Sequence, residues 1–168
     1  HALAVGDVAS TVVHARRALE LLDDDDLVGL GAASALIGLS AWASGDLVTT
    51  HAAYVSCLTH FERAGHVADV QGIAITVGDI YRTWGRLGDA MRTYEDALAL
   101  AEGGPAPRGT ADMHVGISAV HYERGDLDSA REALVRSHEL GDHLGLPQNP
   151  CRWRVAMARV DAAEVWHH

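Results

Sequence analysis

Lysine is missing from this 168-residue chain: all thirteen cationic side chains are arginine, against 23 acidic ones, for a formal charge of −10. A segment so acidic is a poor match for a phosphate backbone, because the electrostatic term that dominates nucleic-acid affinity would be repulsive. If the chain serves DNA, another segment holds it. The lack of lysine also disfavours a lysine-built clamp for a partner's carboxylate, although Arg82, Arg152 and Arg159 could grip one through paired bonds. Phenylalanine occurs once and proline four times. Apolar runs fall short of the roughly 18 residues that cross a bilayer, and no basic start precedes an apolar stretch with a cleavage site, so a cytoplasmic location is expected. Cysteine is scarce: Cys57 and Cys151 lack metal-type spacing and read as reduced, half-buried core thiols, with a disulfide as the minor alternative.

Catalytic signatures are also missing. No phosphate loop, H-E-x-x-H, C-x-x-C or G-x-S-x-G is found, and a non-enzymatic role without a cofactor is expected. Eleven histidines invite a metal reading. His114 and His121 share a helix face but stand seven residues apart, roughly 10 Å, too far to share one ion easily. His138 and Asp142 are four apart, a spacing commoner for a solvated pair. Asp23-Asp24-Asp25-Asp26 lacks the glycine and closing glutamate of a calcium loop and reads as a solvated turn whose last Asp caps the next helix. No metal site is expected.

What the chain does have is a period. Gly6-Asp7-Val8, Gly45-Asp46-Leu47, Gly85-Arg86-Leu87 and Gly125-Asp126-Leu127 recur at about forty residues. A mostly helical unit of that length cannot bury its apolar face alone and must stack on its neighbours. In the clearest unit, Val70 to Trp84 reads as an amphipathic helix, Gly85 to Gly88 as a tight turn, and Asp89 to Glu102 as a returning helix. Glycine suits the left-handed residue that closes the first helix, and Asp46, Asp89 and Asp126 fall where a carboxylate can cap the second. Helices are expected at 8–22, 27–44, 47–64, 68–84, 88–102, 109–124, 127–144 and 149–164. Gly103-Gly104-Pro105-Ala106-Pro107 should stop a helix and stiffen a longer connector.

Tyr81, Gly85, Leu87, Ala90, Tyr94, Ala97 and Leu98 have the spacing of the tetratricopeptide repeat. The expected fold is therefore all-α: a tetratricopeptide-like right-handed superhelix of antiparallel helix pairs, about eight helices, in one domain over 1–164. The register predicts another Gly-Asp at 165–166, where Val165-Trp166 stands instead before His167-His168. Residues 165–168 thus read as a cloning scar and tag, and the chain as a piece cut from a longer solenoid.

The first helix of each pair should line the concave wall of such a solenoid. Counting back from the glycines places Leu39 and Trp42, then Ile75, Asp79 and Arg82, then Val115, Ala119 and Tyr122 on it. The last helix adds Arg152, Val155 and Arg159. Aromatic and arginine side chains carry most of the energy of desolvated interfaces. The alternative for Trp42 and Tyr122 is packing between repeats, and Trp84 reads as core or rim.

The wording from Tyr81 to Leu100, Y-x-x-x-G-R-L-G-D-A-x-x-x-Y-x-x-A-L-x-L, resembles the helical-repeat region of MalT-like, LuxR-family ATP-dependent transcriptional regulators of bacteria. That resemblance implies an upstream ATPase, a central superhelical sensor for an inducer or inhibitory partner, and a downstream helix-turn-helix. The expected function is a non-catalytic interaction or effector-sensing domain of such a regulator. Its partner would be a protein, peptide or small effector on the concave face, with no direct contact to nucleic acid or membrane. The alternative is a stand-alone scaffold that binds a partner's tail.

Overall fold

Three turns share one hydrogen-bonded design because a glycine stands where the backbone must turn left-handed. Gly45, Gly85 and Gly125 have φ of 79°, 71° and 77°, a region that costs an L side chain about 1–2 kcal/mol. The next residue donates its N–H five positions back: Asp46 to the Ala41 carbonyl, Arg86 to Tyr81 and Asp126 to His121, at 2.8–3.0 Å. This satisfies carbonyls the helix end would leave orphaned. The same cap recurs at Gly65, φ 74°, with His66 donating to the Phe61 carbonyl. Gly65 falls between two repeats and outside the forty-residue register.

A computed structural model describes residues 7–167, which hold eight α-helices and no strand. They are α1 (Val8–Leu21), α2 (Leu27–Ala43), α3 (Leu47–Arg63), α4 (Val67–Thr83), α5 (Leu87–Ala99), α6 (Thr110–Glu123), α7 (Leu127–Leu140) and α8 (Asn149–His167), with a 3-10 turn at Asp142–Leu144. Gly6, the first glycine of the register, and His168, the last residue of the expected tag, lie outside the described residues.

Most boundaries fall within a residue of expectation, and three differ for physical reasons. The helix expected over 88–102 stops at Ala99, just before the glycine-proline connector. The helix expected over 127–144 breaks at Gly141, φ 73°, and resumes only as the 3-10 turn. The last helix runs past 164 to His167. Capping matches in two of three cases. Asp46 and Asp126 accept from the N–H groups of Thr49 and Ser129, and Asp26, at the end of the exposed acidic run, accepts from Gly29. Asp89 caps nothing. It pairs with Arg86 and Arg92 on either side, and Arg86 occupies the cap position of α5 without a side-chain bond to the helix's free N–H groups.

The chain divides into two compact units, the first ending at Ile73 and the second beginning at Ala74, inside α4. In the first, α1 packs on α2 and α2 on α3. The bare backbone of α2 receives two rings of α3: a Cβ on Gly38 would meet the Tyr54 ring at 2.3 Å, and one on Gly31 the Phe61 ring at 2.8 Å. Cys57 is fully buried beside them.

In the second unit, α6 packs on α5, α7 and α8, and α7 also on α8. Its interlock repeats the first unit's forty residues on. Tyr94 of α5, with no exposure, lies against Gly78 of α4 and Gly116 of α6. Val115, Ala130, Leu134 and Val160 form a core against which Tyr122, Trp153, Ala156 and Met157 pack. Two polar ties fasten α8 to α7: the Trp153 indole N–H donates to the Leu134 carbonyl at 2.8 Å, and Arg131 reaches both Asp161 and Glu164.

Candidate functional site

The face of α4 that carries Asp79 and Arg82, the face of α6 that carries Val115 and Ala119, and the face of α8 that carries Arg152, Val155 and Arg159 open on one groove of about 240 Å³. Helical spacing explains the alignment. Residues three and four apart share a face, and a shift of one forty-residue repeat carries position 79 to 119 and 115 to 155. Cys151 and Ala156 complete the lining.

Most of the groove's charge is spent internally. Arg82 donates to Asp79 at 2.9 Å, and through Nε and Nη2 to Glu123 of α6 at 3.0 and 2.5 Å. Burial alone would lower the basicity of this guanidinium, but the Glu123 bond and the charges of Asp79 and Glu123 raise it above the usual value. Arg152 bridges Asp79 at 3.4 Å and Asp112 at 3.3 Å. Asp112 is fully buried, and its other oxygen accepts from the Leu146 N–H at 2.8 Å. The Tyr94 hydroxyl donates to Asp79 at 3.1 Å, and burial, helped by the Asp79 charge, pushes that phenol well above its ordinary range. A buried carboxylate of this kind needs such partners, since an unpaired one would be costly. Arg82 and Arg152 therefore brace the second unit, and neither is available to a ligand without breaking an ion pair.

Arg159 differs. It is exposed, its guanidinium lies 4.5 Å from the centre of the Tyr122 ring, and it has no carboxylate partner among the described residues. The ring face holds the cation in place by cation–π attraction and leaves its N–H groups toward solvent. Val115, only 4% exposed, is both floor and core, whereas Val155 is 57% exposed. The groove thus offers an apolar strip ending in one uncommitted positive charge.

Ile75 lies on the same face of α4 as Asp79 but does not line the cavity. Leu39 and Trp42 are in the first unit, on α2, 42% and 46% exposed. Trp84 is partly exposed, edge-on to Tyr81. The sequence reading missed Asp112 and Glu123 as partners of the arginines, and Tyr94 as a donor to Asp79. It also placed Cys151 in the core, whereas Cys151 is exposed at the groove. Cys57 is buried as expected, its thiol pushed up to about 11 by burial and then by the charge of Asp69. His114 and His121 join no metal set, and no group of three or more potential ligands gathers among the described residues. His121 lies 3.3 Å from Asp126, and His138 stacks on Trp153 at 5.1 Å. No helix among the described residues is long and apolar enough to cross a membrane.

The family described as the MalT-like TPR region, TPR standing for tetratricopeptide repeat, matches residues 1–164. No curated protein matches the sequence. Among solved structures, that of BtubC (BKLC) from P. vanneervenii is similar with a TM-score of 0.58 and 16% identity, over 98% of this chain and 73% of that one. At that identity the likeness speaks for an all-α, tetratricopeptide-like fold.

Proposed function

Since this chain belongs to the MalT-like TPR family, we propose that it is a non-catalytic recognition module of a bacterial transcriptional regulator, and that the groove of its second unit is the recognition surface. The observation that carries this reading is Arg159, exposed over Tyr122 at the end of an apolar strip while the other groove arginines are bound to carboxylates of the chain itself. A fitting ligand is a small effector or a protein segment with an apolar body for Ala119 and Val155 and an anionic group for Arg159. The internal ion pairs give the surface a fixed shape, which lowers the ordering cost of binding. Signal output would follow from differential affinity: a ligand that prefers one seating of α8 on α4 and α6 shifts the parent protein toward that state.

The test is a thermal-shift screen of metabolites and peptides on the wild type, Arg159→Ala and Val155→Asp. A cognate ligand stabilises the folded state by mass action, about 2.7 kcal/mol at a hundredfold excess over Kd. Both variants should lose that stabilisation while melting normally without ligand. Hits that stabilise both variants as well as the wild type would place recognition elsewhere.

A further inference from the structure

Helix α2 of the first unit is apolar all round: no residue from Leu27 to Ala43 is ionisable. A helix of that kind is normally enclosed, yet this one is enclosed on one side only. Gly31 and Gly38 turn toward the rings of α3, and Ala33, Ser34, Ser40 and Ala41 are buried as well. Val28, Leu36, Leu39 and Trp42 instead stand 44%, 37%, 42% and 46% exposed. At 3.6 residues per turn these four share an arc of roughly 120° and form a stripe about 21 Å long. The exposed Ala32 fills the gap between Val28 and Leu36. Single apolar side chains at a surface are ordinary, but a continuous line of large ones marks a contact surface.

The charges at the ends of the stripe select what lies on it. Asp23, Asp24, Asp25 and Asp26 are exposed and lead directly into Leu27. Asp26 spends one oxygen on the Gly29 N–H, and the other three join no ion pair among the described residues. Beyond the far end stands another carboxylate, Asp46, the cap of α3. A second copy fits poorly: an antiparallel pair of stripes would set Asp23 to Asp25 against Asp46, and a parallel pair would set the two acidic runs against each other. An anionic lipid surface is repelled in the same way. A cationic group next to an apolar face is attracted. The N-terminus of α2 carries the positive end of its dipole, so a helix laid along the stripe gains by running antiparallel, with its basic residues in its own last turn.

We propose that the exposed stripe of α2 docks an amphipathic helix of a partner protein, about four turns long and antiparallel to α2. Apolar residues of that helix at i, i+3 or i+4, and i+7 cover Leu36, Leu39 and Trp42, and Arg or Lys in its last turn faces Asp23 to Asp25. The site belongs to the first unit and does not depend on the role of the second unit's groove.

The test is a fluorescence-anisotropy titration with a labelled peptide of about 16 residues, bearing leucines at helical spacing and three arginines in its last turn. Its controls are the same peptide with three glutamates in place of the arginines, and one with the leucine positions scrambled. Saturable binding of the arginine peptide is expected, with the glutamate peptide about tenfold weaker, since three exposed charge pairs contribute about twofold each. Raised salt, or Asp23→Asn with Asp24→Asn and Asp25→Asn, should remove that preference. Leu39→Asp, at an exposed position, should abolish binding while melting like the wild type, and Trp42→Ala should weaken it about tenfold. No saturable binding of the arginine peptide, equal binding of either control, or undiminished binding in Leu39→Asp would overturn the proposal. So would a dimer in sedimentation, or adsorption to anionic vesicles, that Leu39→Asp removes, because the stripe would then belong to a second copy or to a membrane.

Discussion

Adding one methyl group at Gly78 should cost this protein stability, although alanine is the better helix former. The new Cβ would lie 2.3 Å from Cζ of Tyr94 and 2.5 Å from its Cε1 and hydroxyl, more than an ångström inside the ordinary carbon–carbon separation of about 3.5–4.0 Å. The ring cannot retreat. A Cβ on Gly116 would meet the same ring at 2.5–2.8 Å, so the backbone of α6 already touches its far side, and its hydroxyl is tied to Asp79. Overpacking of this kind costs about 1–3 kcal/mol, here at the upper end, against about 1 kcal/mol gained in helix propensity. The net loss should be about 2 kcal/mol, or about 4–8 °C in Tm for a chain of this length. Gly72 lies in the same helix with nothing within 4 Å of its would-be Cβ, so Gly72→Ala should instead raise Tm by about 2–4 °C. Thermal unfolding followed by far-UV circular dichroism reads both. A Gly78→Ala protein as stable as Gly72→Ala would refute the interlock, as would failure of Tyr94→Leu to relieve the Gly78→Ala penalty in the double variant.

Three further outcomes follow from the same geometry. Cys151 should react with a thiol reagent in the native protein at neutral pH, whereas Cys57, buried and shifted up to about 11, should react only on unfolding; equal rates would contradict the burial. Its stabilising contribution is complete below the unfolded thiol value and is lost as pH rises through about 11. Asp46 and Asp126 are held below the usual carboxylate range by their bonds to Thr49 and Ser129, so their contribution is present above the unfolded value and disappears as pH falls through the folded one. Asp46→Asn with Asp126→Asn should therefore keep the caps at neutral pH and flatten the acid limb of the stability curve, and an unchanged acid limb would show that the caps do not set it. Asp112→Ala should cost on the order of 1–3 kcal/mol by orphaning the Leu146 N–H and loosening Arg152, measurable by denaturant unfolding, while a neutral result would remove Asp112 from the framework.

The turns were legible in the sequence because glycine at 45, 85 and 125 answers a backbone demand that few other residues meet. Helix starts were legible wherever the residue after that glycine is Asp, and misleading at Asp89, where Arg86 takes the cap position and draws the carboxylate to itself. The face shared by Asp79, Val115, Arg152 and Arg159 followed from counting in threes, fours and forties. What counting could not supply was pairing. Glu123 stands forty-one residues from Arg82, and Asp112, in the first turn of α6, reads as an ordinary complement to the helix dipole until α8 brings Arg152 to it. Stepping one turn back from Val115, or one repeat back from Arg152, would have found it.

The groove can be tested most directly by mapping amide chemical shifts of the protein against whichever ligand stabilises it in the thermal-shift screen. Perturbations centred on Ala119, Tyr122, Val155 and Arg159, absent in Arg159→Ala, are the predicted result. Perturbations that leave these four residues unmoved would contradict it.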